Sequence, residues 1–207
     1  MRKDILERYP GWTPRQCMEC RGTVGGAPSG QLGAQSGGQP RASPSKRRDM
    51  TLDEVLSTFT AGPKTGVFTD GAAEGNPGPG GWGAVLVVDD EVIAQEFGSE
   101  PHTTNNRMEL TGMIAGLRMV PHDAEIDVYT DSQLVVNILT EWAKGWEARG
   151  WRKKSSGPIA NLELVKEAYA LTRQRPKARI SWIPAHSGNR WNEYADSLAT
   201  AYRRDTF

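Results

Sequence analysis

The stretch that decides the fold of this chain reads DGAAEGNPGPGGWG over residues 70–83. The apolar and β-branched residues of Gly66–Asp70 predict a short strand that ends at Asp70. The glycines and prolines of residues 71–81 predict a loop, and a second apolar run follows it. A strand is thus predicted to deliver an acidic side chain to the edge of a glycine-rich loop.

The residues downstream predict an α/β fold, a five-stranded mixed sheet flanked by helices. Further strands are predicted at residues 82–88, 92–97, 125–130 and 179–184, helices at 105–120, 132–139, 158–175 and 191–204, and a Trp-rich basic helix and loop at 141–154. The first long helix places Leu110, Ile114 and Leu117 on one stripe. Three antiparallel strands, followed by strands that return through helical crossovers, predict three antiparallel and then two parallel strands.

The bulk composition fits one ordinary domain with a tail. The chain has 207 residues and a formal net charge of zero. No apolar run approaches the roughly 20 residues that a membrane span requires, and the charged N-terminus lacks the apolar core of a secretory signal. We therefore expect a cytoplasmic protein with no membrane partner.

The first 62 residues are predicted to be a mostly disordered extension, and residues 63–207 the folded domain. Residues 22–45 contain seven Gly, three Pro and four Ser, a composition that cannot bury enough apolar surface to order itself. Residues 51–59 predict one short helix, with a capping box between Thr51 and Glu54. Because no catalytic motif lies in the extension, it is expected to be dispensable for chemistry.

The two cysteines, Cys17 and Cys20, form a single C-x-x-C in the extension. A zinc site needs about four ligands, and the sequence offers no second pair. The pair could be half of a shared metal or redox site, but two free thiols in a flexible tail are the preferred interpretation.

Four acidic residues are candidates for a metal site: Asp70 and Asp131 at strand ends, and Glu109 and Asp196 in helices. If the two strands are neighbours, Asp70 and Asp131 lie roughly 5 Å apart, and two carboxylates that close need a cation between them. Magnesium suits a few carboxylates, and two such ions can clamp a phosphoryl displacement. Each acid taken alone is more typical of a solvated surface, so spacing does not decide the question.

Four motifs together resemble the type 1 ribonuclease H family. They read DGAAEGNPGPGGWG at 70–83, TTNNRMEL at 103–110, YTDSQ at 129–133, and WIPAHSG at 182–188 continued by NEYAD at 192–196. They occur in the family's order and spacing over residues 64–203. Any one motif would be weak, but the combination is specific.

The resemblance implies a ribonuclease H-like fold and an endonuclease that cuts the RNA strand of RNA–DNA hybrids, leaving 3′-hydroxyl and 5′-phosphate ends. It implies two Mg²⁺ ions, with Mn²⁺ as a substitute, held by Asp70, Glu109, Asp131 and Asp196. It implies a proton-transfer role for His186, on a mobile loop near the scissile phosphate. It also implies a monomer.

The resemblance further implies contacts to both strands of a hybrid duplex. Carboxamides would read the RNA strand, where the 2′-hydroxyl distinguishes RNA from DNA; these are Asn76, Asn105, Asn106 and Gln133. A pocket for a DNA phosphate would map to Thr104 and Asn161, with His102 where a more cationic residue often sits. Asn76 is equally typical of a turn before a proline.

A basic Trp-rich segment at residues 141–154 resembles the family's basic protrusion. Five cations against one acid give residues 144–154 a local net charge of plus four, which favours phosphates. The residues assigned to substrate here are Trp142, Lys144, Arg152, Lys153 and Lys154. Trp146 and Trp151 are instead expected to pack the junction between helix and loop.

Two other interpretations stay open on the sequence. One is a different nuclease of the ribonuclease H-like superfamily. The other is a non-catalytic module that binds hybrids, which would be expected to lack at least one of the four acids. A labelled hybrid, incubated with and without magnesium, separates these interpretations from a ribonuclease H.

Overall fold

A computed structural model describes residues 49–204 of the chain. The predictions for Cys17, Cys20 and the Gly/Pro/Ser-rich stretch lie outside the described residues. Within residues 49–204, none of the helices combines the length and the apolar character that crossing a membrane requires.

Five strands form one mixed sheet, as predicted. They are β1 (Gly66–Ala73), β2 (Gly78–Val88), β3 (Glu91–Thr103), β4 (Ile126–Thr130) and β5 (Ala178–Trp182). Their order across the sheet is β3-β2-β1-β4-β5. Strands β1, β2 and β3 pair antiparallel, whereas β4 pairs parallel with both β1 and β5. Strand β1 is therefore central, between β2 and β4.

Helices cover both faces of the sheet. They are α1 (Leu52–Thr58), α2 (Asn105–Met119), α3 (Gln133–Asn137), α4 (Ala143–Ala148), α5 (Leu162–Gln174) and α6 (Arg190–Ala199), with a π-helical turn at Ile138–Trp142 and a 3₁₀ turn at Ala201–Arg203. Successive side chains of a strand point to opposite faces. Val67 of β1 accordingly joins the core beneath α2 and α5, and Phe68 joins the core beneath α1 and α6.

The predicted loop at residues 71–81 is wrong in its bounds. Strand β1 continues past Asp70 to Ala73, and β2 begins at Gly78. The two strands pair in register through this region, with Gly71 opposite Trp82. Glycine and proline favour loops by composition, but ladder hydrogen bonds use only the backbone, so small residues such as glycine and alanine can extend a strand that has a partner.

Three predicted helices also differ from the structure at their ends. The helix predicted from residue 158 begins at Leu162, because Asn161 has a left-handed backbone with φ of 52°. The helix predicted over 132–139 is the short α3 followed by the π-helical turn. The last helix ends at Ala199 and gives way to a 3₁₀ turn, short of the predicted residue 204.

The short helix predicted near Thr51 is confirmed as α1, and its capping box with Glu54 is present. The structure packs this helix on the sheet domain, although the sequence placed it in the extension. Val55 is 1% exposed, and the Ser197 hydroxyl donates to the Met50 carbonyl at 2.7 Å. Residues 49–62 thus lie against α6, because an amphipathic helix with a buried face needs a partner.

Candidate active site

Asp70 and Asp131 are brought together by the sheet. Strands β1 and β4 run parallel with Thr69 opposite Thr130, so the next residue of each chain segment is one of the two aspartates. Asp131 follows the end of β4, as predicted, whereas Asp70 lies within β1 instead of at its end. Asp70 is only 8% exposed. A carboxylate is therefore held inside the domain next to a second one.

Glu109 reaches the same place because Gly71 lets helix α2 approach β1. A Cβ atom at position 71 would lie 2.1 Å from the Glu109 backbone nitrogen, so no side chain fits there. The Glu109 carboxylate accepts a hydrogen bond from the Asn105 amide at 2.7 Å and another from the Ser132 hydroxyl. These two donors fix its orientation from α2 and from the start of α3.

Asp196 and His186 complete the cluster from the α6 side. Ligand atoms of His186, Glu193 and Asp196 lie within 4.8 Å of one another. Asn192, one turn before Asp196 on α6, donates to the Asp131 carboxylate at 3.4 Å. Helix α6 therefore joins the two halves of the site.

Burial and mutual repulsion govern the protonation of the acids. Burial raises the pKa of Asp70 well above its usual range, and the charges of Asp131 and Asp196 raise it further. Burial likewise raises the pKa of Glu109, against the lowering effect of the Ser132 hydroxyl. Burial also raises the pKa of Asp131, against the lowering effects of Asn192 and His186.

Such an arrangement suits a divalent cation. The candidate donors are hard carboxylate oxygens, which Mg²⁺ and Mn²⁺ accept as ligands. Like charges that raise one another's pKa lose that repulsion when a cation lies between them. The four predicted acids, Asp70, Glu109, Asp131 and Asp196, stay the predicted ligands. Among the described residues, the side chains whose ligand atoms lie within 4.8 Å of one another are His186, Glu193 and Asp196.

The carboxamides predicted to contact RNA lie on three elements. Asn76, in the turn between β1 and β2, accepts a hydrogen bond from the Asn105 backbone N–H at 3.2 Å. Asn106 is exposed on α2. Gln133 is exposed at the start of α3, and its amide donates to Asn137 at 2.9 Å. The loop and α2 are thus tied together beside Glu109.

The residues predicted for a DNA phosphate have separate local roles. Thr104 caps α2, and its hydroxyl accepts a hydrogen bond from the Arg107 N–H at 3.4 Å. His102 is exposed near the end of β3, and Asn161 precedes α5 with its left-handed backbone. Their assignment to one phosphate stays a prediction.

The tryptophans of the basic segment differ in burial, as expected. Trp146 and Trp151 pack partly buried against the core, whereas Trp142 is 38% exposed. Lys144, Arg152 and Lys154 are exposed, and Lys153 is half-buried. The segment therefore presents one indole and several cations to solvent.

Sequence reasoning missed the supporting residues Ser132, Asn192 and Glu193. Glu193 is buried and accepts a hydrogen bond from the Gly188 N–H at 3.2 Å. Helical spacing could have suggested Asn192, since residues four apart lie on one face of a helix and Asp196 is four residues on. For Ser132, the indication was its position as N-cap immediately after Asp131.

A five-stranded mixed sheet of this order, with acids gathered where β1 meets β4, defines the ribonuclease H-like class of α/β proteins. The sequence profile of the RNase H family matches residues 63–204. The chain belongs to the ribonuclease H family, type 1.

Bacterial relatives agree with this assignment. A Ribonuclease H of Ehrlichia ruminantium (strain Gardel) is 47% identical over 66% of this chain and 92% of its own length. A Ribonuclease HI of Caulobacter vibrioides is 44% identical over 66% of this chain and 91% of its own length. A Ribonuclease H of Methylorubrum extorquens (strain PA1) is 46% identical over 69% of this chain, which spans 61% of that relative.

Among solved structures, LC9-RNase H1, a type 1 RNase H with the type 2 active-site motif, is similar with a TM-score of 0.56. It shares 32% sequence identity over 69% of this chain and 74% of its own. The N-terminal RNase H domain of a Mycobacterium tuberculosis protein gives a TM-score of 0.50 at 33% identity, over 66% of this chain and 92% of that one.

Proposed function

We propose that this protein is a magnesium-dependent endonuclease that hydrolyses the RNA strand of RNA–DNA hybrids. One observation carries the proposal: buried Asp70 and half-buried Glu109 and Asp131 gather where β1 meets β4, and burial raises the pKa of each. Clustered buried carboxylates destabilise a fold unless a cation compensates them. Membership of the ribonuclease H family supplies the reaction class.

The ligand set in this proposal is Asp70, Glu109, Asp131 and Asp196, with two Mg²⁺ ions. Bound there, the metal ions would stabilise the negative charge that develops on the attacking and leaving oxygens of the phosphate. The protein's own contribution is to hold the carboxylate oxygens of the ligands in place before the metal binds. Asn105 and Ser132 orient the Glu109 carboxylate, and Asn192 orients that of Asp131.

His186 is proposed to move a proton at the edge of the acid cluster. Its side chain is exposed and lies near Asp196, and its charge acts on Asp131. Imidazole accepts and releases protons near neutral pH. In this role it assists the departure of the leaving oxygen or of the product, while the acids hold the metal.

Substrate selection is proposed to rest on carboxamides and on the basic segment. Asn76, Asn105, Asn106 and Gln133 would read the RNA strand, and Thr104, Asn161 and His102 would contact a phosphate of the DNA strand. One Asn105 amide proton and its carbonyl oxygen stay available beside the bond to Glu109, since a carboxamide has two donors and an acceptor. Trp142, Lys144, Arg152, Lys153 and Lys154 would contact the duplex backbone.

Other parts of the proposal follow from the family resemblance. They are substitution of Mn²⁺ for Mg²⁺, products with 3′-hydroxyl and 5′-phosphate ends, and a monomeric state. A cytoplasmic location is proposed separately, from the composition of the sequence. The boundary of the extension, placed at residue 62 by the sequence, also stays a proposal for residues 1–48.

The test is a cleavage assay on four end-labelled duplexes of one sequence: RNA–DNA, DNA–DNA, RNA–RNA, and a DNA duplex with a short RNA insert. We expect Mg²⁺-dependent cuts in the RNA of the first and last substrates only. Cleavage of the all-DNA duplex would favour a different superfamily nuclease. Binding of the hybrid without cleavage would favour a non-catalytic module.

A further inference from the structure

The segment that leads from α1 into β1 contacts the loop that carries His186. We define the histidine loop as residues 184–189. Ala61 pairs with Asn189 in a parallel bridge, and the Ala61 carbonyl accepts a hydrogen bond from the Arg190 N–H at 2.8 Å. Ala61 lies outside the residues that match the family profile, which begin at 63. The contact therefore adds to what the family match covers.

Side chains extend this backbone contact on both sides. Phe59 lies beside Gly188, where a Cβ atom would be 3.7 Å from the Phe59 ring, and the ring packs against the core that contains Trp191. Gly62 lies against Asn189, where a Cβ atom would be 2.7 Å from the side-chain oxygen. The Gly62 backbone, with φ of 106°, is one that residues with a Cβ rarely adopt.

The histidine loop is held from its other side by α6. The Gly188 N–H donates to buried Glu193 at 3.2 Å. Inside the loop, the Ser187 hydroxyl donates to the Pro184 carbonyl at 2.8 Å, and the Asn189 amide donates to Ser187. The base of the loop is thus fixed between two elements, while His186 at its tip is exposed with φ of 50°.

We propose that residues 59–62 are a positioning segment for His186, which set the placement of the histidine loop relative to the acid cluster. The inference rests on the proposed function, in which His186 moves a proton. Proton transfer requires the imidazole to lie within hydrogen-bond reach of the reacting group, and misplacement by about 1 Å can cost a large factor in rate. A segment that fixes the base of the loop therefore acts on turnover through His186.

The inference reverses the expectation that residues 1–62 are dispensable for chemistry. A protein that starts at Lys64 loses α1 with its buried Val55 as well as the Phe59, Ala61 and Gly62 contacts, whereas one that starts at Met50 keeps all of these. The shorter protein is expected to have lower kcat with unchanged affinity for the hybrid, because no residue of the segment is assigned to substrate. The longer protein is expected to match the full chain.

The decisive test uses point variants in the full chain. Gly62→Ala forces a side chain against Asn189, and Phe59→Ala removes the ring beside Gly188. Val55→Ala is the matched control, since Val55 packs in the same core but lies in α1, outside residues 59–62. We expect kcat for hybrid cleavage to fall about tenfold in the first two variants, with KM unchanged, and to stay within about twofold of wild type in the control.

The same substitutions in a His186→Ala background separate positioning from general loss of structure. If the segment acts through His186, Gly62→Ala and Phe59→Ala cost nothing further once the imidazole is gone. Equal losses in both backgrounds, or no loss in either, would overturn the inference. A wild-type protein that does not cleave hybrids would overturn the proposed function as well.

Amide hydrogen exchange gives a second readout that does not depend on activity. The Arg190 N–H, which donates to Ala61, and the Gly188 N–H, which donates to Glu193, are expected to exchange faster in Gly62→Ala than in wild type. Protection of buried strand amides, such as Val67 in β1, is expected to stay unchanged. Unaltered exchange of both the Arg190 and the Gly188 amides would contradict the proposed contact, even if the melting temperature of the variant fell.

Discussion

The acid cluster and the basic segment differ in the burial of their charged side chains. Asp70 is buried with other carboxylates around it, so its pKa is raised. Lys144, Arg152 and Lys154 stand exposed on a surface segment. Exposed charges cost a fold little, whereas buried like charges destabilise it until something neutralises them. In the proposed function, the cluster serves chemistry and the segment serves binding.

This contrast assigns different kinetic parameters to the two regions. Loss of a carboxylate should lower turnover and leave the hybrid bound, whereas loss of surface cations should weaken binding and leave turnover at saturation unchanged. The histidine loop lies between these extremes, because His186 is exposed like the cations but lies near the acids.

The largest effect is expected from Asp131→Asn, which keeps the shape of the side chain but removes its charge. Turnover should fall about 10³-fold or more, since metal ions supply several kcal/mol of transition-state stabilisation. Asp127→Asn is a matched control on β4, the strand that leads to Asp131, because Asp127 pairs with Arg179 instead of the cluster. Wild-type single-turnover rates for Asp131→Asn in a protein of normal fold would refute the two-metal assignment.

A smaller loss is expected from His186→Ala. General acid–base help is typically worth about 10²- to 10⁴-fold, so Mg²⁺-dependent cleavage should stay measurable, with near-normal affinity for the hybrid. Single-turnover and steady-state rates measured together would show whether the imidazole acts in chemistry or in product release. The contrast would fail if His186→Ala were as inactive as the Asp131 variant.

Replacing Lys144, Arg152, Lys153 and Lys154 together should act on binding alone. The slope of log affinity against log salt should become shallower by up to about 3.6, at roughly 0.9 per lost phosphate contact on a B-form duplex. Lys177→Ala, a single cation outside the segment, is the control. If the slope did not change, the basic segment would not contact the backbone of the duplex.

The smallest effect concerns stability without metal. Because the pKa of Asp70 is raised in the fold, its charged form is disfavoured there. Wild type therefore loses stability relative to Asp70→Asn as pH rises above the unfolded value of about 4. In EDTA near neutral pH the variant should melt a few degrees higher, with no difference at pH 3.

The pH-dependent melting of Asp70→Asn has an internal control of opposite sign. Hydrogen bonding to Arg179 lowers the pKa of Asp127, so Asp127→Asn should lose a little stability near neutral pH. Differential scanning calorimetry over a pH series measures both variants. A lower melting temperature for Asp70→Asn at neutral pH would mean that the buried carboxylate stabilises the metal-free fold.

Much of the fold and the core of the site could be predicted from the sequence. The sequence placed Asp70 beside Asp131 on the condition that β1 and β4 are neighbours, and the structure meets that condition. Asp131 follows the end of β4, whereas Asp70 lies within β1. Glu109 and Asp196 could be named from the family resemblance, and in the structure their charges add to the effect of burial in raising the pKa of Asp70. Local patterns worked for Asp131 because it directly follows the end of β4.

The rest depended on contacts between distant segments. The capping box predicted α1, but nothing local indicated that it packs on α6, whose Ser197 is 147 positions from Met50. Buried Glu193 looks like a solvated helix residue until Gly188 folds back onto it. The end of β1 at Ala73 and the start of β2 at Gly78 were not predicted, because the two strands pair with each other there despite the loop preference of glycine.

Calorimetric titration of the free protein with Mg²⁺ tests most directly whether the buried acids form the metal site. Carboxylates with raised pKa must lose their protons when they bind a metal. At about pH 5, in two buffers with different ionisation enthalpies, we predict net proton release on Mg²⁺ binding. Asp70→Asn should bind Mg²⁺ more weakly and release fewer protons. Tight binding without proton release, or binding unchanged by Asp70→Asn, would contradict the account.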